Sequence, residues 1–245
     1  MNGGPDGGRR GTVAPVRPAG PRVVSLVPSL TETLLAWGVD VVACTRFCEQ
    51  PGLRHVGGTK DPDVAAITVL APDLVVMDAE ENRRQDHETL VGAGLRVHAT
   101  AVRALGDVEP ALAGLADALG IAFGGLGIEP GADPVRLRVF VPIWRRPWMT
   151  VNGSTYASTL LAAAGIANVF ADHADRYPIV DLDDVTGRDP QAVLAPSEPY
   201  PFGPRHIPEL QEIAPDVTLV DGRDVTWWGV RTPAALGRIR RWSTG

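Results

Sequence analysis

Short apolar, β-branched runs alternate with helix-like segments along this chain, and the whole order is passed through twice. That repetition constrains the fold more than any single motif. Runs of four or five apolar residues are too short for buried helices and too continuous for strands with one wet face, so they suit strands covered on both sides. Val23-Val24-Ser25-Leu26-Val27 opens the first series and Pro28 stops it. Ser29-Leu30-Thr31-Glu32 has the S-x-x-E form of a capping box, which predicts a helix over 32–37 ended by Gly38. A strand over 39–43, a helix over 64–70, a strand over 72–77, a helix over 82–93 ended by Gly94 and a strand over 95–98 follow. The second series predicts a strand over 138–142 and a helix over 156–164 behind Ser154-Thr155. A strand over 192–195 after Pro190, a helix over 207–213 and a strand over 217–220 complete it. The pairs Ser29/Ser154 and Pro72/Pro190 recur at offsets of roughly 120 residues, as two units built on one plan would.

The expectation is therefore an α/β protein: two Rossmann-like lobes with parallel-type sheets around a cleft. A tail over 1–21, rich in Gly, Pro and Arg, is expected to be disordered because it cannot bury enough apolar surface to offset its ordering entropy. An N-terminal lobe over 22–103, a connecting helix and Gly-rich linker over 104–136 and a C-terminal lobe over 137–245 account for the rest. Ligands of open α/β sheets sit beyond the carboxyl ends of the strands. The loops placed there are 28–31, 46–51, 78–82, 143–156, 197–202 and 224–231.

Four of the six tryptophans fall in those loops: Trp144, Trp148, Trp227 and Trp228. Indoles in loops are explained either by stacking on a large planar or apolar ligand or by packing beneath the loops, and the ligand reading is preferred. Arg145-Arg146, between Trp144 and Trp148, is the basic–aromatic cluster. Its guanidinium forks suit a carboxylate or phosphate while the indoles cover an apolar body, the alternative being a solvated loop.

Several function classes are excluded or disfavoured. A formal net charge of −6 argues against nucleic acid as partner. No stretch approaches the roughly 18 apolar residues of a membrane span, and no apolar signal segment precedes residue 22, so the sequence as it stands is read as cytoplasmic. The alternative is an exported protein whose start is truncated or misassigned. Cys44 and Cys48 form neither a disulfide framework nor a zinc site, since no second Cys/His pair follows at zinc-like spacing. The five histidines are scattered, without an H-E-x-x-H run. Gly124-Gly125-Leu126-Gly127 matches neither phosphate-binding glycine pattern, and there is no G-x-S-x-G elbow. Ser29 and Ser154 are explained by helix capping, with the backbone amides there available to an anionic ligand group. No catalytic residue is assigned and the metal-ligand set is left unknown.

The run from Arg22 to Leu34, RVVSLVPSLTETL, resembles the opening of the class III, helical-backbone metal-receptor family of periplasmic binding proteins. Val-Gly-Gly-Thr-Lys-Asp-Pro-Asp over 56–63, Ala-Pro-Asp-Leu-Val-Val-Met-Asp over 71–78, LLAAAGIANVF over 160–170 and LAPSEPYPF over 194–202 support it in order and spacing. The resemblance implies a substrate-binding protein of an ABC transporter, importing a metal chelate: cobalamin-like, a ferric siderophore or haem, bound as ligand rather than built in as cofactor. It also implies a permease partner, touched by an acidic residue on each lobe, with Glu80 or Glu81 and Glu198 in suitable regions. The ligand-binding set expected here is Ser29, Leu30, Thr31, Phe47, Cys48, Trp144, Arg145, Trp148, Tyr156, Glu198, Tyr200, Phe202, Trp227 and Trp228. One departure stands out. The family's lobes are joined by a single long helix, whereas only 106–119 looks helical here before a Gly-rich stretch, which suggests a looser hinge. The competing reading is a cytoplasmic enzyme or orphan binder that reuses the scaffold.

Overall fold

The computed structural model describes residues 20–129 and 131–242, so all but the last two residues of the expected tail lie outside the described residues. Two all-parallel sheets form the frame. The first is made of β1 (Arg22–Ser25), β2 (Asp40–Cys44), β3 (Arg54–His55), β4 (Leu74–Asp78) and β5 (Val97–Thr100), in the order β3-β2-β1-β4-β5. The second contains β6 (Leu137–Phe140), β7 (Ile166–Asn168), β8 (Ala192–Pro196) and β9 (Asp216–Val220), in the order β7-β6-β8-β9. Every residue of β4 and of β8 is buried, which is what sheets covered on both faces require and why their sequences do not alternate. The expected α/β architecture with two parallel sheets is thus present.

Helix starts depart from the expectation in an instructive way. The first helix, α1, spans Pro28–Ala36, with Val27 as its cap and no side-chain cap hydrogen bond. Proline lacks the N–H that the first turn leaves unpaired and its fixed φ suits that turn, so Pro28 opens this helix instead of merely closing the strand. The predicted Ser29–Glu32 capping box does not form: Ser29 lies inside the helix, and Glu32 is drawn to Arg231 in the other lobe. In α5 (Tyr156–Ala162) the cap is Thr155, whose hydroxyl accepts the Ser158 N–H, while the Ser154 hydroxyl bonds Asn152. Asp63 caps α2 (Val64–Leu70) by accepting from Ala66 N–H.

The remaining helices are α3 (Arg84–Gly92), α4 (Val108–Leu119), α6 (Leu182–Gly187), α7 (Ile207–Leu210), α8 (Arg223–Thr226) and α9 (Thr232–Trp242). The helix expected over 207–213 stops at residue 210, and strands β3 and β7 and helices α6, α8 and α9 lie outside the elements expected from the sequence.

The segment between the sheets is fastened rather than loose. Its helix α4 has 12 residues and is about 18 Å long at 1.5 Å per residue. Beyond it, Leu126 and Ile128 donate their N–H groups to one oxygen of Glu109 at 2.9 and 3.0 Å. Positive φ at Gly125 and Gly127 lets alternate amides converge on that carboxylate, whose pKa the Ile128 and Leu126 amides hold below the usual range. Ile121, Phe123, Leu126 and Ile128 pack on a core that also contains Leu30 and Leu34 of α1, Leu112 and Leu115 of α4, Leu160 and Leu161 of α5, and Leu236 and Ile239 of α9. One apolar core therefore runs through both lobes, and two smaller ones back the individual sheets.

Candidate functional site

Strand order decides where the site falls. In the first sheet the winding reverses between β1 and β4, and in the second between β6 and β8. Loops leaving neighbouring strands diverge at such switch points and leave a crevice. All four of those loops line one cavity of about 410 Å³: Val27–Ser29 after β1, Asp78 at the end of β4 with Glu80 and Glu81 after it, Val141 and Ile143 after β6, Glu198 and Pro199 after β8. That volume lies in the range of small-molecule sites.

The apolar surface of the cavity comes from both lobes. Val27, Phe47 and Val102 face it from the N-terminal side, and Val151, Tyr156, Ala157, Val225, Trp227 and Trp228 from the C-terminal side. Phe47 is 52% exposed, with the Arg46 guanidinium 4.8 Å above its ring. Trp227 is half-buried beneath Arg231 at 5.4 Å, and Trp228 is buried. The Tyr156 hydroxyl lies 3.1 Å from that of Thr232, and burial raises its pKa, so the phenol stays neutral.

The polar groups are held as firmly. Asp78 is buried at the end of β4, accepting from the Thr100 hydroxyl at 2.7 Å and from Glu80 N–H at 2.9 Å. Asn82 ties the same loop down by accepting from Asp78 N–H and donating to the carbonyls of Leu26 and Thr59. Glu81 lines the cavity as an exposed residue, and desolvation by the protein around it raises its pKa. Burial likewise raises Glu198, whose Oε1 accepts from the Thr226 hydroxyl at 2.8 Å. Gly222 permits this arrangement, since a Cβ there would meet the Glu198 side chain and lie 2.5 Å from its backbone nitrogen. At the rim, Glu80 receives Arg176 at 3.0 Å, Arg103 at 3.3 Å and the Tyr177 hydroxyl at 3.2 Å. Burial, then the Glu80 charge, pushes Tyr177 up to about 12.

Of the residues expected to bind ligand, Ser29, Phe47, Tyr156, Glu198, Trp227 and Trp228 line this cavity. The others lie elsewhere. Leu30 is in the shared core, and Thr31 and Cys48 are buried against each other, hydroxyl to thiol at 3.2 Å. The neighbouring Cys44 thiol, then the Thr31 and Thr45 hydroxyls, lower the Cys48 pKa against its burial, and Cys48 is not among the residues lining the cavity. Trp148, Tyr200 and Phe202 belong to the core behind the second sheet, with the Trp148 and Phe202 rings parallel at 6.0 Å. Trp144 is 43% exposed and edge-on to Tyr200, and Arg145 is paired with Glu209 at 2.7 Å. For Trp148, Tyr200 and Phe202 packing beneath loops describes the arrangement, while Trp144 stays exposed.

The sequence reading left Arg103, Arg176, Tyr177 and Asp78 out of the site. An acidic residue closing a fully apolar strand was a usable signal for Asp78. Nothing local marks Arg176-Tyr177, which enters the site only through its contact with Glu80, 96 residues away. None of the five histidines lines the cavity. Among the described residues no group of three or more His, Cys, Asp or Glu is placed to hold a metal ion. No helix of the described residues is long and apolar enough to cross a membrane.

Two parallel, doubly wound sheets meeting at their switch points around one cavity make the fold that of the class III periplasmic binding proteins, as the sequence resemblance implies. No family model matches the chain. It is 26% identical over 193 residues, 72% of each chain, to a vitamin B12-binding protein of Salmonella choleraesuis. Among solved structures it is similar to the periplasmic vitamin B12-binding protein of Vibrio cholerae, with TM-score 0.74 and 18% identity over 92% of this chain and 97% of the other. It is similar too to a periplasmic haem-binding protein from Roseiflexus sp. RS-1, with TM-score 0.76 and 20% identity over 92% and 98%.

Proposed function

We propose that the chain is the substrate-binding protein of an ABC importer and holds a cobalamin- or haem-like metal chelate in the cavity between its lobes. The observation that carries this reading is the cavity itself. Four strand ends from two sheets converge on it, Trp227, Trp228, Tyr156 and Phe47 give it wide apolar surfaces, and Asp78, Glu80, Glu81, Glu198, Arg103 and Arg176 supply charged groups beside them. A flat, largely apolar body with polar substituents matches that division. The relatives bind vitamin B12 or haem under names that place several of them in the periplasm, which weighs for an exported protein over the cytoplasmic reading. With an ABC permease as partner, Glu80, Glu81 and Glu198, the acidic residues in regions suited to permease contact, also line the cavity.

The test is titration of the purified protein with cyanocobalamin, haemin and ferric siderophores, following indole fluorescence and the chelate's absorption. Saturable one-to-one quenching with a dissociation constant of about 1 μM or tighter, some 8 kcal/mol, is expected for at least one chelate. A flat response to every one of them at about a hundred times that concentration refutes the proposal.

A further inference from the structure

Arg103 follows β5 in the first lobe and Arg176 lies in the second, yet both line the cavity and converge on a single carboxylate. Glu80 Oε1 takes Arg176 Nη1 and Arg103 Nε, and Oε2 accepts from the Tyr177 hydroxyl. Two cations therefore share one anion, and the cluster carries a net positive charge at a mouth whose wall also bears Glu81 and Glu198.

The Arg176 fork is also only partly used. Its Nη1 is on Glu80 and its Nη2 makes a long 3.4 Å bond to the Ser154 carbonyl. Its buried Nε has no hydrogen-bond partner, the one such side-chain atom among the described residues. Guanidinium groups favour two parallel bonds to a carboxylate or phosphate, and the Nη1/Nη2 pair here has one firm acceptor and one distant one, so it is open to a better-matched acid.

We infer that Arg103, Arg176 and Tyr177 form an anion clamp for an acidic substituent at the ligand's edge, a carboxylate or a phosphate, and that Glu80 holds the clamp until the ligand enters. The inference deepens the proposed function and rests on it. The ligand's apolar body lies against Trp227, Trp228 and Phe47, its acidic group takes the Arg176 Nη1 that Glu80 held, together with the loosely bonded Nη2, and Glu80 turns out to water. The incoming and departing groups carry the same sign of charge, so the exchange adds no unpaired charge to the site. Glu80 thus competes with the ligand from within the chain.

The experiment uses two probe pairs: haem and its dimethyl ester, which masks both carboxylates, and cyanocobalamin and dicyanocobinamide, which lacks the phosphodiester. Each is titrated into the wild-type protein, Arg176→Met and Glu80→Gln, with indole quenching as readout. Arg176→Met should weaken the acidic member of one pair about ten- to a hundredfold, the range of charge-assisted hydrogen bonds, and change its masked counterpart by less than about twofold. The pair that responds tells carboxylate from phosphate. Glu80→Gln should tighten the acidic probe several-fold, a gain that a merely structural role for Glu80 does not produce. If Arg176→Met fails to fold, Arg103→Met on a more exposed side chain tests the same clamp. Equal weakening of acidic and masked probes, or weaker binding by Glu80→Gln, overturns the clamp while the binding reading stands. A wild-type protein that binds none of the four overturns both.

Discussion

Replacing Asp224 with asparagine tests the polar cluster that joins the lobes behind the cavity. The Asp224 side chain is 5% exposed and accepts Arg238 through two bonds of 2.6 Å and Arg231 through one of 3.2 Å. Arg231 in turn grips Glu32 of α1 in bidentate fashion, at 2.7 and 2.9 Å. The four charges balance, so Asp224→Asn keeps the shape but leaves two guanidiniums to one carboxylate. Breaking a buried ion pair costs about 3–5 kcal/mol. Arg238 is 40% exposed and recovers part of its hydration, which places the expected cost near the lower end, about 3 kcal/mol. For a chain of this size that corresponds to a fall in Tm of roughly 6–12 °C. Urea unfolding at 25 °C should show a lower midpoint at an unchanged m-value. Because the pair is buried, the loss should persist in about 1 M salt, where exposed pairs are screened. A cost under about 1 kcal/mol, or one that disappears in high salt, refutes the assignment of this cluster as an interlobe tie.

Three further outcomes follow from the same geometry. Trp227→Phe should remove a large part of the ligand-induced quenching and Trp148→Phe almost none, since only the former lines the cavity; equal effects in fluorescence titrations contradict the placement. Burial holds the folded pKa of Glu198 above its usual 4.5, so the folded state binds this proton more tightly than the unfolded state does, and the stability this contributes is lost as pH rises through the raised value. Glu198→Gln should therefore raise Tm at pH 7 and give no gain near pH 4, as calorimetry at the two pH values can check. Gly222→Ala places a methyl group against Glu198 and should cost about 1–3 kcal/mol and weaken ligand binding as the loop after β8 shifts; unchanged Tm and affinity exclude the close approach as a constraint.

The sheets were legible because residues buried on both faces must be apolar at every position, as in β4 and β8, and such runs survive in a single sequence. Strand β7 was hidden behind the helix that precedes it, whereas α9 does carry a helical signal, with Ala235, Leu236 and Ile239 on one buried face and its arginines on the other. The site was half legible. Trp227, Trp228, Tyr156 and Glu198 follow from strand-end position together with residue type. Trp148 and Phe202 meet the same two criteria and instead stack on each other, because a loop's local sequence does not show whether it folds over the cleft or down onto its own sheet. Glu32 shows the same blindness to distance: its spacing from Ser29 satisfies a local motif, but a bidentate arginine 199 residues away outcompetes one capping bond.

The apolar core shared by both lobes also governs how the chain comes into being. Leu30 and Leu34 are made early, and Leu236 and Ile239, which complete their core, are made about 200 residues later. At about 5–20 residues per second, synthesis leaves the inner face of α1 without those partners for roughly 10–40 s. The first sheet and α1 can pack on each other in that time, but the side of the shared core that Leu236 and Ile239 fill stays open until α9 leaves the ribosome. A nascent chain stalled before residue 232 should therefore present that open side of the core to chaperones, and completion of α9 is the step that withdraws it.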